Sequence, residues 1–114
     1  MDKLMEELKD YGADVNGAMN RFMDDVDLYK TCYTAFLKDE AFLKLGEALS
    51  ATDYEKAFEC AHTLKGVSGN MGLTPLSRVI CTIVEKLRNK EYSGLQRCYT
   101  EVIAQLDKLG QLQR

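Results

Sequence analysis

The chain has 114 residues, of which 46% are hydrophobic and 29% are charged, so one globular domain is expected and disorder is not. Its formal net charge of -3 argues against a sequence-independent nucleic-acid binder, which needs a basic surface. No apolar run approaches the roughly 18 residues of a membrane span, and the acidic, amphipathic N-terminus resembles neither a signal peptide nor a transit peptide. These features predict a cytoplasmic protein with neither membrane nor nucleic-acid partners.

The hydrophobic pattern is helical nearly throughout. A short helix is predicted from Met1 to about Asp10, and a second runs through VNGAMNRF. Asp24 and Asp25 are expected to cap a third helix, VDLYKTCYTAFLKD, and the pattern continues through EAFLKLGEALS. The apolar positions with helical spacing are Val15, Ala18, Met19 and Phe22 in the second helix, Leu28, Cys32, Phe36 and Leu37 in the third, and Phe42, Leu45 and Leu49 beyond it.

In the second half of the chain, N-terminal capping signals mark where the predicted helices begin. Thr52 followed by Glu55 is a capping-box pattern, and Thr74 before Pro75 fits the cap of the next helix. A last helix follows NKEYSG. Long amphipathic helices with short connections predict an all-α fold, an antiparallel up-and-down four-helix bundle with short additional N-terminal helices, in which residues 1–114 form one domain. The apolar faces of the last two helices are Val79, Ile80, Ile83, Val84 and Leu87, and then Leu95, Tyr99, Val102, Ile103, Leu106 and Leu109.

Four cysteines lie inside helical patterns and form no CxxC pair. A free cysteine in such a position usually acts as a small buried apolar residue, which is our interpretation here. Disulfide or redox roles are the alternative. The residues are Cys32, Cys60, Cys81 and Cys98.

The only histidine, His62, lies in the stretch HTLKGVSGNMG, where glycines occupy positions 66, 69 and 72. An α-helix turns about 100° per residue, which places the core-facing direction of this helix about 200° from His62. A lone histidine is more often a hydrogen-bonded core residue, but here the register predicts an exposed side chain. The residues that define the core-facing direction are Ala57, Leu64, Ser68 and Met71.

Gly66 and Gly69 lie within about 40° of His62 on the same stripe, and Lys65 lies about 60° to one side. Glycine in a helix interior costs roughly 0.8–1 kcal/mol relative to alanine, and on an exposed stripe it brings no packing gain. What it provides is space beside the imidazole, and Lys65 adds a cation for an anion placed there. This combination suits a phosphoryl group carried on an imidazole nitrogen. The helix is expected to continue past Gly66 and to end at Gly72.

The stretch AHTLKGVSGNMG closely resembles the signature of histidine phosphotransfer (HPt) domains, in which His-x-hydrophobic-Lys-Gly is followed by further glycines. ADVNGAMNRFMDDVDLYKTCYTAFLKD resembles the family's N-terminal region, and GLTPLSRVICTIVEKL resembles the helix after the motif. The resemblance covers about Ala13 to Leu109. It implies a four-helix bundle that exposes this histidine midway along one helix.

By this resemblance His62 is the phosphorylated residue, Lys65 neutralises phosphoryl charge, and Gly66, with Gly69 beyond it, leaves the imidazole accessible. HPt domains pass phosphoryl groups between receiver aspartates, or between a histidine kinase and a receiver, without catalytic machinery of their own. The implied protein is a stand-alone, monomeric phosphorelay carrier whose partners are a response-regulator receiver domain and/or a hybrid histidine kinase. No cofactor is expected on this chain, because the receiver brings the aspartate and the Mg²⁺.

Apolar side chains near His62 are expected to contact the receiver. Phe58 lies one turn earlier on the same stripe, and Met19 and Phe22 could extend the surface from the second short helix. For all three residues the alternative is a position in the core.

One position departs from the family pattern. Many HPt domains place a Glu or Gln on the following helix to hold the second imidazole nitrogen, and here that position is Val84, next to Glu85. Either a small change of register brings Glu85 to the ring of His62, or the ring is oriented otherwise.

Two other classes of function are weaker. A helical adaptor that keeps the HPt scaffold without phosphotransfer is the alternative that Val84 favours. An enzyme is disfavoured because Cys60 and His62 would point about 160° apart on a helix, and no nucleotide-binding GxxxxGK[ST] loop is present. A metal site would combine one histidine with scattered cysteines, against the usual ligand spacings, so none is expected.

Overall fold

The computed structural model describes residues 2–112, which are helical and contain no strand. The described residues form seven helices: α1 (Lys3–Tyr11), α2 (Val15–Arg21), α3 (Val26–Leu37), α4 (Glu40–Ser50), α5 (Tyr54–Asn70), α6 (Thr74–Arg88) and α7 (Leu95–Gln111). The prediction of an all-α fold is confirmed. The predicted start of the first helix at Met1 lies outside the described residues.

Four helices form the bundle by contacting one another in a closed ring. Helix α4 packs on α5, α5 on α6, α6 on α7, and α7 back on α4. The connections between them are short, so each helix runs antiparallel to the preceding one. The predicted up-and-down four-helix bundle is therefore confirmed. Fully buried side chains from all four helices meet in its core, among them Leu45, Leu64, Ile80 and Val102.

Helices α3 and α4 together lie along α7. The Tyr33 hydroxyl on α3 donates to the Leu109 carbonyl near the end of α7, with an oxygen–oxygen distance of 2.6 Å. Near the start of α7, the Tyr99 hydroxyl donates to the Phe42 carbonyl at 2.9 Å. From α3 to α4 the contacts move from the end of α7 towards its start. Helices α3 and α4 therefore lie one after the other along α7, and both run antiparallel to it.

The predicted apolar face of α3 is wrong in part. Leu28 is 46% exposed, whereas its neighbour Tyr29 is fully buried. The Tyr29 hydroxyl donates to the Met71 carbonyl at 2.8 Å, so the core accepts the ring together with its polar end. Of the predicted set, Phe36 is buried, and Cys32 and Leu37 are only half-buried. The residues that α3 buries are Tyr29, Tyr33 and Phe36.

Aspartate caps the first five helices. In each case a carboxylate oxygen accepts a backbone N–H of the first turn, and such a cap typically contributes about 1 kcal/mol. The prediction is confirmed for Asp25, whereas Asp24 adopts a left-handed conformation with φ of 59°. The capping residues are Asp2, Asp14, Asp25, Asp39 and Asp53.

Two predicted caps are wrong by one residue. Thr52 has a φ of 54° and its hydroxyl donates to the Ala51 carbonyl, so Asp53 caps α5 instead by accepting the Lys56 N–H at 3.2 Å. Thr74 is the first residue of α6 and no side chain caps that helix. At α5, Asp53 and not Thr52 is the cap because a carboxylate is a stronger acceptor than a threonine hydroxyl.

The fold is expected to lose stability above about pH 10. Burial raises the pKa of Tyr11 to about 12, and it also raises the pKa of Tyr29 and Tyr33. The unfolded chain ionises its phenols near pH 10 while the folded chain keeps them protonated. The contribution of these phenols to the free energy of unfolding is therefore fully present below about pH 10, and it falls as the pH rises towards 12. Urea unfolding followed by circular dichroism at pH 9, 10 and 11 measures this loss.

The contribution of Tyr11 can be isolated, because its hydroxyl donates to Gln105 Oε1 at 2.7 Å and phenylalanine keeps the ring without that hydroxyl. In Tyr11→Phe the alkaline loss should be about 1–2 kcal/mol smaller than in the wild type, after allowance for solvent screening of a half-buried group. Tyr92→Phe, at an exposed ring, should leave the pH dependence unchanged. Equal pH dependence in Tyr11→Phe and the wild type would contradict the assignment.

Candidate functional site

His62 lies midway along α5 and its side chain is exposed, as the helical register predicts. The buried face of the same helix consists of Ala57, Ala61, Leu64 and Ser68. Among residues 2–112, neither imidazole nitrogen has a hydrogen-bond partner. Both nitrogens of the ring are therefore open to a group that approaches from solvent.

The surface beside the imidazole is clear of side chains because α5 carries glycine there. A Cβ atom added at Gly66 would meet no atom within 4 Å, and one added at Gly69 would meet only Ser77 Oγ at 3.8 Å. The helix continues through both residues to Asn70, as predicted. The two glycines thus leave space along the exposed stripe of His62 without ending the helix.

Hydrogen bonds connect the C-terminal end of α5 to α2 and to the residue before it. Gly72 follows the helix with a φ of 72°, as expected of a terminating glycine, and the Asp14 N–H donates to its carbonyl at 2.8 Å. The Arg21 guanidinium donates to the carbonyls of Asn70 at 2.7 Å and Gly69 at 3.2 Å. These contacts satisfy carbonyl groups at the helix end and bring the C-terminal end of α2 next to the site.

Replacement of Gly72 by alanine should destabilise the protein by about 2 kcal/mol. A left-handed conformation disfavours any Cβ, and this Cβ would lie 2.5 Å from the Asp14 backbone oxygen, which cannot move without displacing α2. Urea unfolding monitored by circular dichroism gives the difference.

Gly110→Ala is the matched control for Gly72→Ala, because a Cβ at Gly110 meets nothing within 4 Å. It should be at least as stable as the wild type, since alanine is the better helix former. A Gly72→Ala protein with wild-type stability would show that the close approach of Asp14 is not required.

A groove of about 520 Å³ opens beside His62, with mainly apolar walls. Phe22, one of the predicted docking residues, lies in its wall. Met19 is not among the residues that line the groove, although it is half-buried and packs against the core like Phe22. The groove is lined by Phe22, Cys32, His62, Thr63, Gly66, Val67, Asn70 and Met71.

Lys65 is half-buried, and within the described part of the chain its ammonium group has no ion-pair partner. Its positive charge is therefore available to an anion bound near His62, three residues earlier on the same helix. Burial raises the pKa of the Cys60 thiol, which keeps that group protonated and gives no support to a thiolate nucleophile.

On the other side of His62 the ring of Phe58 stacks on the imidazole. The ring centroids are 5.7 Å apart with an interplanar angle of 27°. The Arg88 guanidinium lies over the same phenyl ring at 5.7 Å from its centroid, and the Glu85 carboxylate pairs with Arg88. Glu85 therefore does not reach the imidazole, and Val84 is fully buried, so the ring of His62 is oriented without a carboxylate or amide partner.

The sequence-based prediction of the site does not include three residues that lie near it, Cys32, Arg21 and Arg88. All three belong to helices other than α5. Cys32 belongs to the apolar pattern of α3, which predicts burial in the core but not the position beside His62. No local signal marks Arg21 or Arg88, since their roles follow from contacts between helices.

None of the helices among residues 2–112 is both long enough and apolar enough to cross a membrane. The same part of the chain contains no group of three or more His, Cys, Asp or Glu side chains arranged to hold a metal ion. The four cysteines are free and half-buried.

Fold and site together define a helical bundle that exposes a single histidine beside a free lysine and two glycines. The family model described as Hpt domain matches residues 39–112, which is more than half of the chain. The chain therefore belongs to the Hpt domain family, and the resemblance seen in the sequence is confirmed at that level. No curated protein and no solved structure matches the chain.

The family match and the sequence resemblance differ in extent. The match begins at Asp39 and covers α4 to α7, which are the four helices of the bundle. The resemblance extends from about Ala13 to Leu109, so its part before Asp39 and the assignment of residues 1–114 to one domain stay predictions.

Proposed function

We propose that this protein is a histidine phosphocarrier of a two-component phosphorelay, with His62 as the residue that carries the phosphoryl group. The supporting observation is an exposed imidazole without a hydrogen-bond partner beside two glycines with open surface, in a chain of the Hpt domain family. In this proposal the protein is a cytoplasmic monomer. Its partners are a response-regulator receiver domain and/or a hybrid histidine kinase.

The transfer is a displacement at phosphorus between two side chains. The lone pair of the unprotonated imidazole nitrogen of His62 attacks the phosphorus of an aspartyl phosphate on the receiver. The N–P bond forms as the P–O bond to the aspartate breaks, and the electron pair of that bond remains on the carboxylate. The second imidazole nitrogen keeps its proton. The reverse displacement returns the phosphoryl group to a receiver and regenerates the free imidazole.

Lys65 and the glycines support this step in different ways. The phosphoryl group carries close to two negative charges, and the unpaired ammonium of Lys65 offsets part of them. Gly66 and Gly69 leave room for the receiver's aspartate to come within bonding distance of the imidazole. The Mg²⁺ of the reaction is bound by the receiver, so this chain needs no metal ligands of its own.

The groove next to His62 is the proposed contact surface for the receiver on this side of the helix. Phe22 and Val67 offer apolar contact area there, and Arg21 holds the wall that carries Phe22 in place. Met19 is left out of this surface because it does not line the groove.

The test is incubation of the purified protein with ³²P-phosphorylated receiver domains and Mg²⁺, and in parallel with ³²P-phosphoramidate as a small donor. The label should move to this protein within minutes, and it should be labile in acid and stable in base, as a phosphorus–nitrogen bond is. Mass spectrometry should place it on the peptide that contains His62. Absence of label with every donor, or an acid-stable label on a hydroxyl residue, would overturn the proposal.

A further inference from the structure

The imidazole of His62 is exposed, yet it needs a defined orientation to act as a nucleophile towards a phosphoryl group. Transfer requires the attacking nitrogen in line with the leaving oxygen, and a ring that rotates freely spends only part of its time in that geometry. No side chain in residues 2–112 donates to or accepts from either ring nitrogen. The orientation must come from another kind of contact.

Phe58 provides one such contact. It precedes His62 by one helical turn, and residues four apart lie above one another on a helix face. The two rings stack with centroids 5.7 Å apart at 27°, and Phe58 is half-buried and packs against the core. The phenyl ring is thus anchored in the bundle while one of its surfaces supports the imidazole.

Arg88 and Glu85 fix the phenyl ring from the neighbouring helix α6. The Arg88 guanidinium lies 5.7 Å from the centroid of Phe58, within the range of a cation–π contact. Glu85, one helical turn before Arg88, forms an ion pair with the guanidinium. Glu85 stands next to Val84, the position where the family's hydrogen-bonding residue was expected, but it acts on Arg88 and not on the imidazole.

We infer that Phe58, held by Arg88 and Glu85, is a positioning residue that orients the His62 ring by stacking. The consequence for catalysis rests on the proposed function, whereas the stacking itself does not. This assigns Phe58 a role different from receiver docking. His62 remains the residue that carries the phosphoryl group, and Phe58 acts through it.

Two measurements separate orientation from docking. The first is the phosphorylation rate of His62 with phosphoramidate, which needs no docked protein. The second is nuclear magnetic resonance of the imidazole, whose signals are unambiguous because the chain contains one histidine. Stacking displaces the ring protons of His62 by the ring current of Phe58, and ¹³C relaxation reports rotation of the imidazole.

Phe58→Leu should abolish the ring-current displacement, increase imidazole motion and slow phosphorylation by phosphoramidate roughly 2- to 10-fold, the range that a lost aromatic pair corresponds to. Phe58→Tyr keeps an aromatic ring, so it should show the imidazole signals and the phosphorylation rate of the wild type. Arg88→Gln should give a smaller effect in the same direction. It leaves the core packing intact and keeps the test decisive if Phe58→Leu is too unstable to use.

Arg97→Gln is the matched control for Arg88→Gln, since it makes the same change on an exposed residue of α7, away from Phe58 and from the glycines of α5. It should change neither readout. Unaltered imidazole shifts and motion in Phe58→Leu, or an equal loss of rate in Phe58→Leu and Phe58→Tyr, would overturn the inference. A wild-type protein that takes no label would instead overturn the proposed function, while the imidazole shifts and relaxation would still decide whether the ring is held.

Discussion

The His62→Gln protein is expected to accept no phosphoryl group, either from a phosphorylated receiver or from phosphoramidate. The lone pair of the glutamine amide nitrogen is delocalised into the carbonyl group and is not available for attack. The displacement at phosphorus therefore cannot begin. The side chain of His62 is exposed and makes no hydrogen bond within residues 2–112, so the expected loss is limited to its stacking on Phe58, and the free energy of unfolding should stay within about 1 kcal/mol of the wild type. Phosphotransfer assays with ³²P and urea unfolding measure the two quantities.

Lys56→Gln is the control, since it changes another exposed residue of α5 and should keep wild-type labelling. Label that persists in His62→Gln would show that another residue carries the phosphoryl group. If neither the wild type nor His62→Gln is labelled, but both bind a receiver with equal affinity, the protein is an adaptor that has kept the scaffold. Receiver binding should therefore be measured on both proteins by titration calorimetry.

The exposed stripe of α5 could be predicted from sequence because all of its geometry belongs to one helix. Once Ala57 and Leu64 define the buried direction, the rotation per residue fixes the positions of His62, Gly66 and Gly69. No contact with another part of the chain is needed for that result. The bundle follows similarly from the lengths of the amphipathic segments and their short connections.

The buried face of α3 could not be predicted in the same way. Hydropathy ranks Leu28 above Tyr29, yet the tyrosine is buried because its hydroxyl meets the Met71 carbonyl at the end of α5. That acceptor lies 42 residues away in sequence and is placed only by the fold. A tyrosine can enter a core when such a partner exists, and the sequence pattern does not contain the partner.

The surroundings of the imidazole are also a property of contacts between helices. The sequence predicts that Phe58 is a neighbour of His62 because both lie on α5, but the presence of Arg88 over its ring depends on how α6 packs against α5. The same packing directs Glu85 to Arg88 and away from the imidazole. Local pattern therefore identifies the residue that carries the chemistry, whereas the residues that orient it require the three-dimensional structure.

Replacement of Gly66 by leucine should stabilise the fold and still block transfer from a receiver. A side chain at this position meets no atom of the protein within 4 Å of its Cβ, and leucine is the better helix former by roughly 0.5–1 kcal/mol. Helical side chains lean towards the N-terminus of the helix, so the leucine would lie over the approach to His62. Because the receiver's aspartate could then not reach bonding distance, the rate of transfer should fall about 100-fold or more.

The test of Gly66→Leu compares a receiver with phosphoramidate as donor, because the small donor needs less space beside the imidazole. Labelling by phosphoramidate should fall by less than about 10-fold, which would show that the nucleophile itself is intact. Gly110→Leu is the matched control: its Cβ is equally unobstructed on α7, and it should retain wild-type transfer. Wild-type rates of transfer from the receiver to Gly66→Leu would show that the open surface beside His62 is not where the receiver's aspartate approaches, and would leave the glycine stripe without a role in phosphotransfer.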